Sequence, residues 1–107
     1  MPKPIAFLYV SRGAVPNVHR ASLISDQHEM IVRGVSSVEE GCLEAVDLVR
    51  EGCRIIELCG GFGADGARQV IQAIHGAIPV GYIEYFPEER EKLTQQKQAE
   101  KKEGNGL

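Results

Sequence analysis

Ile5-Ala6-Phe7-Leu8-Tyr9-Val10 is apolar on both of its alternating faces. Successive side chains of a strand point to opposite sides, so this run predicts a central strand covered from both sides rather than a half-exposed one. Met30 to Val35 carries enough β-branched residues for a second strand, Arg54 to Cys59 reads as a third, and Pro79 to Ile83 as a fourth.

Between the second and third strands the apolar spacing changes to three and four, through Val38, Cys42, Ala45, Val46 and Val49. That stripe is one face of a helix. Ser37 stands at capping-box spacing before Glu40, so the helix starts at about Ser37, and Gly52 is placed to end it. A second amphipathic helix follows the third strand, with Ala67, Val70, Ile71 and Ile74 on its buried face and Gly76 as its stop. Strands alternating with single helices imply right-handed β-α-β crossovers. The expected fold is α/β: a small, mainly parallel four-stranded sheet, a Rossmann-like or flavodoxin-like fragment.

Two segments lie outside this pattern. Ser11 to Asn17, with Gly13 and Pro16, reads as a loop, and His19 to Gln27 has weak periodicity that suits either a short helix or one arm of a hairpin. Glu88 to Lys102 is almost entirely Glu, Lys, Arg and Gln, with Leu93 and Ala99 its apolar residues, and suits a frayed surface helix or a disordered tail. Residues 1–87 therefore read as one domain and 88–107 as a charged tail.

Composition narrows the function classes. A length of 107 residues supports one hydrophobic core with little margin, so a homo-oligomer that completes the burial is expected. The net charge of -3 argues against a nucleic-acid surface. The leading apolar run is too short for a signal-peptide core, and nothing approaches membrane-spanning length, so a cytoplasmic location without membrane contact is expected. Cys42, Cys53 and Cys59 are odd in number and lack Cys-x-x-Cys spacing, which suits free thiols. His19, His28 and His75 are scattered, and neither a metal nor a cofactor is assigned.

The candidate chemistry gathers at Cys59-Gly60-Gly61-Phe62-Gly63, between the third strand and the second helix. Ligands of open parallel sheets collect beyond the carboxyl ends of the strands, and this turn lies on that rim. Glycines allow backbone to approach a ligand, and the unpaired N–H groups of a first helical turn favour phosphate or carboxylate. The same residues would equally serve a plain helix-capping turn. Gly61, Gly63 and Gly66 satisfy G-x-G-x-x-G, and Glu84 ends the next strand where a ribose-binding acid would stand. The motif, however, belongs to the second β-α unit, and a single further strand leaves little sheet for a dinucleotide.

The leading expectation is a module binding an anionic small molecule over Gly60, Gly61, Phe62 and Gly63, with Arg12, His19 and Arg20 supplying contacts from the loop after the first strand. A lyase or isomerase is the alternative. Glu57 and Cys59 are two apart in a strand, share a face, and would act as proton carrier and as nucleophile or acid. The plainer view makes Cys59 a small buried hydrophobe and places Glu57 at a subunit boundary or beside Arg54 or Arg33. A third reading is a structural protein whose sheet edge or terminal helix pairs with another subunit.

Gly34-Val35-Ser36-Ser37-Val38-Glu39-Glu40, then Ile56-Glu57-Leu58-Cys59-Gly60-Gly61-Phe62-Gly63, then Pro79-Val80-Gly81 resemble a family of small uncharacterised bacterial α/β proteins classed as a domain of unknown function. The resemblance spans roughly residues 4 to 87, includes His19-Arg20, leaves out the charged tail, and implies one compact domain without implying an activity.

Overall fold

A computed structural model describes residues 3–102. Its elements are β1 (Ile5–Val10), β2 (Arg20–Ile24), β3 (Glu29–Val35), α1 (Val38–Arg50), β4 (Ile55–Leu58), α2 (Gly63–Ala73), β5 (Val80–Tyr82) and α3 (Pro87–Lys102). One sheet has the order β2-β3-β1-β4-β5. β3, β1, β4 and β5 run parallel, and β2 lies antiparallel on β3.

The sheet therefore has five strands, not four. Residues 19–27 form a hairpin arm: Arg20 to Ile24 pair with Arg33 to Glu29, and Ser25 N–H closes the turn onto the His28 carbonyl at 2.9 Å. Their weak periodicity has a physical cause. Every residue of β2 is exposed, and an edge strand with neither face in the core is under no pressure to alternate.

The hairpin also separates this fold from a doubly wound one. In such folds the step from the first strand to its parallel neighbour runs through a helix that covers one face of the sheet. Here the step runs through the 11–19 loop and β2. The two remaining crossovers, β3-α1-β4 and β4-α2-β5, place both helices on the same side. There the register aligns Leu8 with Arg33 and Leu58, and Ala6 with Ile31 and Ile56. Ala6, Leu8, Val35, Ile56 and Leu58 meet Ala45 and Leu48 of α1 and Ala67, Val70 and Ile74 of α2 in one core. β1 is the middle strand, as its apolar run predicts, but this chain covers one of its sides. Ile5, Phe7 and Tyr9 are half-buried on the other.

α1 begins at Ser37, whose hydroxyl accepts from Glu40 N–H at 3.1 Å. The reciprocal arm of the capping box reaches one residue further back, because the Glu40 carboxylate accepts from the N–H and hydroxyl of Ser36 at 2.8 and 3.0 Å. The stripe is rotated slightly from the predicted one: Gly41, Ala45 and Leu48 are its buried centre. Gly52 follows the Glu51 cap, and Cys53 N–H reaches back to the Leu48 carbonyl at 3.0 Å. In α2, Ala67 and Val70 are buried as expected and Ile74 is its buried cap, whereas Ile71 is exposed. Residues 88–102 of the expected tail are helical; 103–107 lie outside the described residues.

Arg33 is buried beneath α1. Its Nη2 donates to Glu51 at 2.7 Å and its Nη1 to Glu44 at 3.4 Å, while Nε has no partner among the described residues. It lies on the helix side of the sheet and Glu57 on the other, so the pairing of Arg33 with Glu57 considered from sequence does not form.

Candidate functional site

The glycine turn leaves β4 at the strand's carboxyl end. Phe62 N–H donates to the Cys59 carbonyl at 3.1 Å, and Gly63 N–H to the Gly60 carbonyl at 3.3 Å. Gly63 has φ +64°, a backbone region that disfavours every residue with a Cβ, and it opens α2. Phe62 precedes it as a cap without a side-chain hydrogen bond. The amides of Gly61, Ala64 and Asp65 have no backbone or side-chain acceptor among the described residues, as expected for the first turn of a helix.

The turn also stands where the chain's direction across the sheet reverses. β1 leads away toward β3, and β4 leads the other way toward β5. A Cβ on Gly61 would lie 3.5 Å from the Cβ of Val10, the last residue of β1. Crevices at such reversals are the usual ligand positions of open α/β sheets. The cleft lies on the β5 side of the turn, where a space of about 480 Å³ is lined by Gly60, Gly61, Gly63 and Ala64, by Tyr82 to Tyr85, and by Arg90, Leu93 and Lys97 of α3.

The structure brings together only part of the predicted constellation. Gly60, Gly61 and Gly63 line the cleft, and so does Glu84. Phe62 does not: its side chain is 5% exposed, its ring turned against Gly41 of α1. Arg12 is exposed on the loop after β1, on the same rim but outside the cleft lining. His19 caps its own turn, its Nδ1 accepting from Val15 N–H at 2.8 Å. Arg20 lies on the helix side of the sheet beside Arg33, Glu29 and Glu51, in a separate depression. It belongs with that ion cluster because antiparallel pairing sets it directly opposite Arg33.

Glu57 and Cys59 also stand apart from the cleft lining. Glu57 is exposed on the helix-free face, in a shallow dent shared with Phe7, Gly81 and Ile83. The Cys59 sulfur accepts from Val10 N–H at 3.3 Å and packs against the core. Burial pushes the Cys42 thiol up, with Glu39 adding to the shift. Burial does the same for Cys53, where Glu51 and Glu29 outweigh the opposing pull of Arg33. Neither thiol is an activated nucleophile. No cluster of three or more metal-ligating side chains occurs among the described residues.

Sequence reasoning missed the cations. Arg90 and Lys97, in the segment assigned to a charged tail, line the cleft opposite the glycine turn with Leu93 between them. Neither takes part in an ion pair among the described residues; the α3 pair is Lys92 with Glu89 at 2.8 Å. The signal was present: Arg90, Leu93 and Lys97 follow a spacing of three and four, and Leu93 is the half-buried residue of an otherwise exposed helix.

No helix among the described residues is long and apolar enough to cross a membrane. No curated protein and no solved structure gives a significant match. One family model does match, over residues 3–98. It reaches past the expected boundary near residue 87 and takes in the part of α3 that carries Arg90, Leu93 and Lys97. The chain belongs to that family, a family of unknown function, DUF6506.

Proposed function

We propose that this protein binds an anionic small molecule, a phosphate ester or a carboxylate, in the cleft between the glycine turn and α3. The observation that carries the reading is the meeting of two kinds of positive potential across one space. The N-terminus of α2 contributes free amides and the positive end of its dipole, and Arg90 and Lys97 contribute formal charge from the facing helix. Glu84 on the same wall suits a hydroxyl of the ligand, and Tyr82 and Tyr85 offer apolar surface to its body. An enzyme built on Glu57 and Cys59 has less support, since Glu57 opens onto the other face of the sheet and the Cys59 sulfur is engaged by Val10 N–H.

The test is a melting-temperature screen of the full chain against inorganic phosphate, pyrophosphate, nucleoside and sugar phosphates and dicarboxylates, followed by calorimetric titration of any hit. Charge-assisted hydrogen bonds contribute about 1.5–3 kcal/mol each, so the Arg90→Ala/Lys97→Ala double variant is expected to lose on the order of a hundredfold or more in affinity. Both side chains are on an exposed helix, so its ligand-free melting temperature should hardly change. A double variant that keeps the wild-type ligand response would refute the reading.

A further inference from the structure

We infer that the helix-free face of the sheet is a homodimer interface, packed on the same face of a second copy. β1 is apolar on both sides, which is the pattern of a strand buried on both. This chain's own helices cover one side, because the step from β1 to β3 runs through a hairpin. The other side presents Ile5, Phe7 and Tyr9 of β1, Met30 and Val32 of β3, and Ile55 of β4. Leu23 extends this surface at the β2 edge and is 68% exposed. Among the described residues, Glu57 is the one charged strand residue on it.

The face is also shaped for a broad contact. A Cβ on Gly34 would come within 2.5 Å of the Tyr9 ring, so the ring lies down across β3 in place of a side chain there. Strands of six, five, seven, four and three residues, at about 3.3 Å per residue and about 4.8 Å apart, project to roughly 400 Å². The corrugated accessible surface exceeds that projection, so two copies would remove on the order of 1,000 Å², the size a specific interface has to clear. A contact so short of charge suits a permanent self-association better than a transient partner.

Symmetry selects the orientation. β1 is the central strand, so a two-fold axis parallel to it lays Phe7 on its own copy and sets Val32 opposite the partner's Glu57, because Val32, Phe7 and Glu57 share one level of the register. An in-plane axis across the strands at that same level would instead oppose Glu57 to its own copy, a like-charge contact. The parallel axis is the one the face accepts.

Sedimentation equilibrium of the full chain tests this. The wild type should sediment at twice 11.7 kDa. Val32→Glu sets a second carboxylate against Glu57 and should weaken association at least about tenfold, whereas Glu57→Leu removes the one desolvated charge and should tighten it about tenfold. Leu43→Glu, on the exposed side of α1, should leave it unchanged. Circular dichroism checks that each variant is folded; should Val32→Glu unfold, Glu57→Leu, at an exposed position, decides. A wild type monomeric at about 0.1 mM, a dimer indifferent to Glu57→Leu, or one abolished by Leu43→Glu would overturn the inference.

Discussion

At the scale of single residues, His75 is a point of local cost. Its φ of 54° makes it the non-glycine residue with positive φ among those described, and it holds the left-handed position after the Ile74 cap of α2. His75 N–H donates to the Gln72 carbonyl and Gly76 N–H to the Ile71 carbonyl, at 3.1 and 3.0 Å. Gly76 is therefore one position later than the stop predicted for it. A side chain with a Cβ pays roughly 1 kcal/mol in this conformation relative to glycine. His75→Gly is expected to raise stability by about 0.5–1 kcal/mol, read as a shift in the urea midpoint at constant slope. Glu51 makes the opposite case. Its hydrogen bond to Arg33 holds its carboxyl below the usual carboxylate range, against the effect of burial, with the charges of Arg33 and Arg20 assisting. In the unfolded chain it titrates near ~4.3, so the bond's contribution is complete above that value and is lost as pH falls through the lower folded one. The Glu51 side chain is 45% exposed, and solvent screening reduces its share. Glu51→Gln should cost about 1 kcal/mol at pH 7 in urea unfolding, with the difference from wild type shrinking as pH falls below the unfolded-state value.

Among the elements, the contact between α1 and α2 depends on one small residue. A Cβ on Gly41 would come within 2.7 Å of the Phe62 ring, and that ring is buried. Gly41→Ala gains about 1 kcal/mol of helix propensity. Displacing a packed aromatic costs about 1–3 kcal/mol, so the prediction is a net loss of roughly 1 kcal/mol in thermal unfolding despite the better helix former. This pair also explains an error of sequence reading. Phe62 lies within the glycine motif, which on sequence alone points it at the ligand, yet its ring packs on Gly41, twenty-one positions earlier in the chain. The helices and parallel strands were legible because their periodicities and caps are local: Ser37 caps α1, and Gly52 follows its end. β2 was not legible, since an exposed edge strand carries no alternation. α3 was half legible. Its composition suits a frayed surface helix or a disordered tail, and its contribution to the cleft depends on how the chain turns after β5, which no pattern within 87–102 encodes.

For the whole molecule, the candidate cleft and the candidate dimer face lie on different surfaces. The cleft opens on the rim at the carboxyl ends of the strands, while the apolar face is the broad side of the sheet away from both helices. Changes at Arg90 and Lys97 should therefore alter ligand response without changing sedimenting mass, and changes at Val32 the reverse.

The sequence by itself determined the class of fold, the middle position of β1, both amphipathic helices and the glycine turn's place on the rim. Each rests on near-neighbour physics: strand and helix periods, caps, and the rule that ligands meet the carboxyl ends of parallel strands. The apolar run of β1 even announced that both of its sides call for cover. Tertiary structure decided which side this chain covers itself, because replacing a crossover helix by a hairpin sends the remaining helices to one side. It also decided which charges meet the glycine turn, drawing Arg20 to Glu51 and setting Arg90 and Lys97 on the cleft. Those outcomes depend on segments far apart in sequence being held together, and no local pattern specifies that.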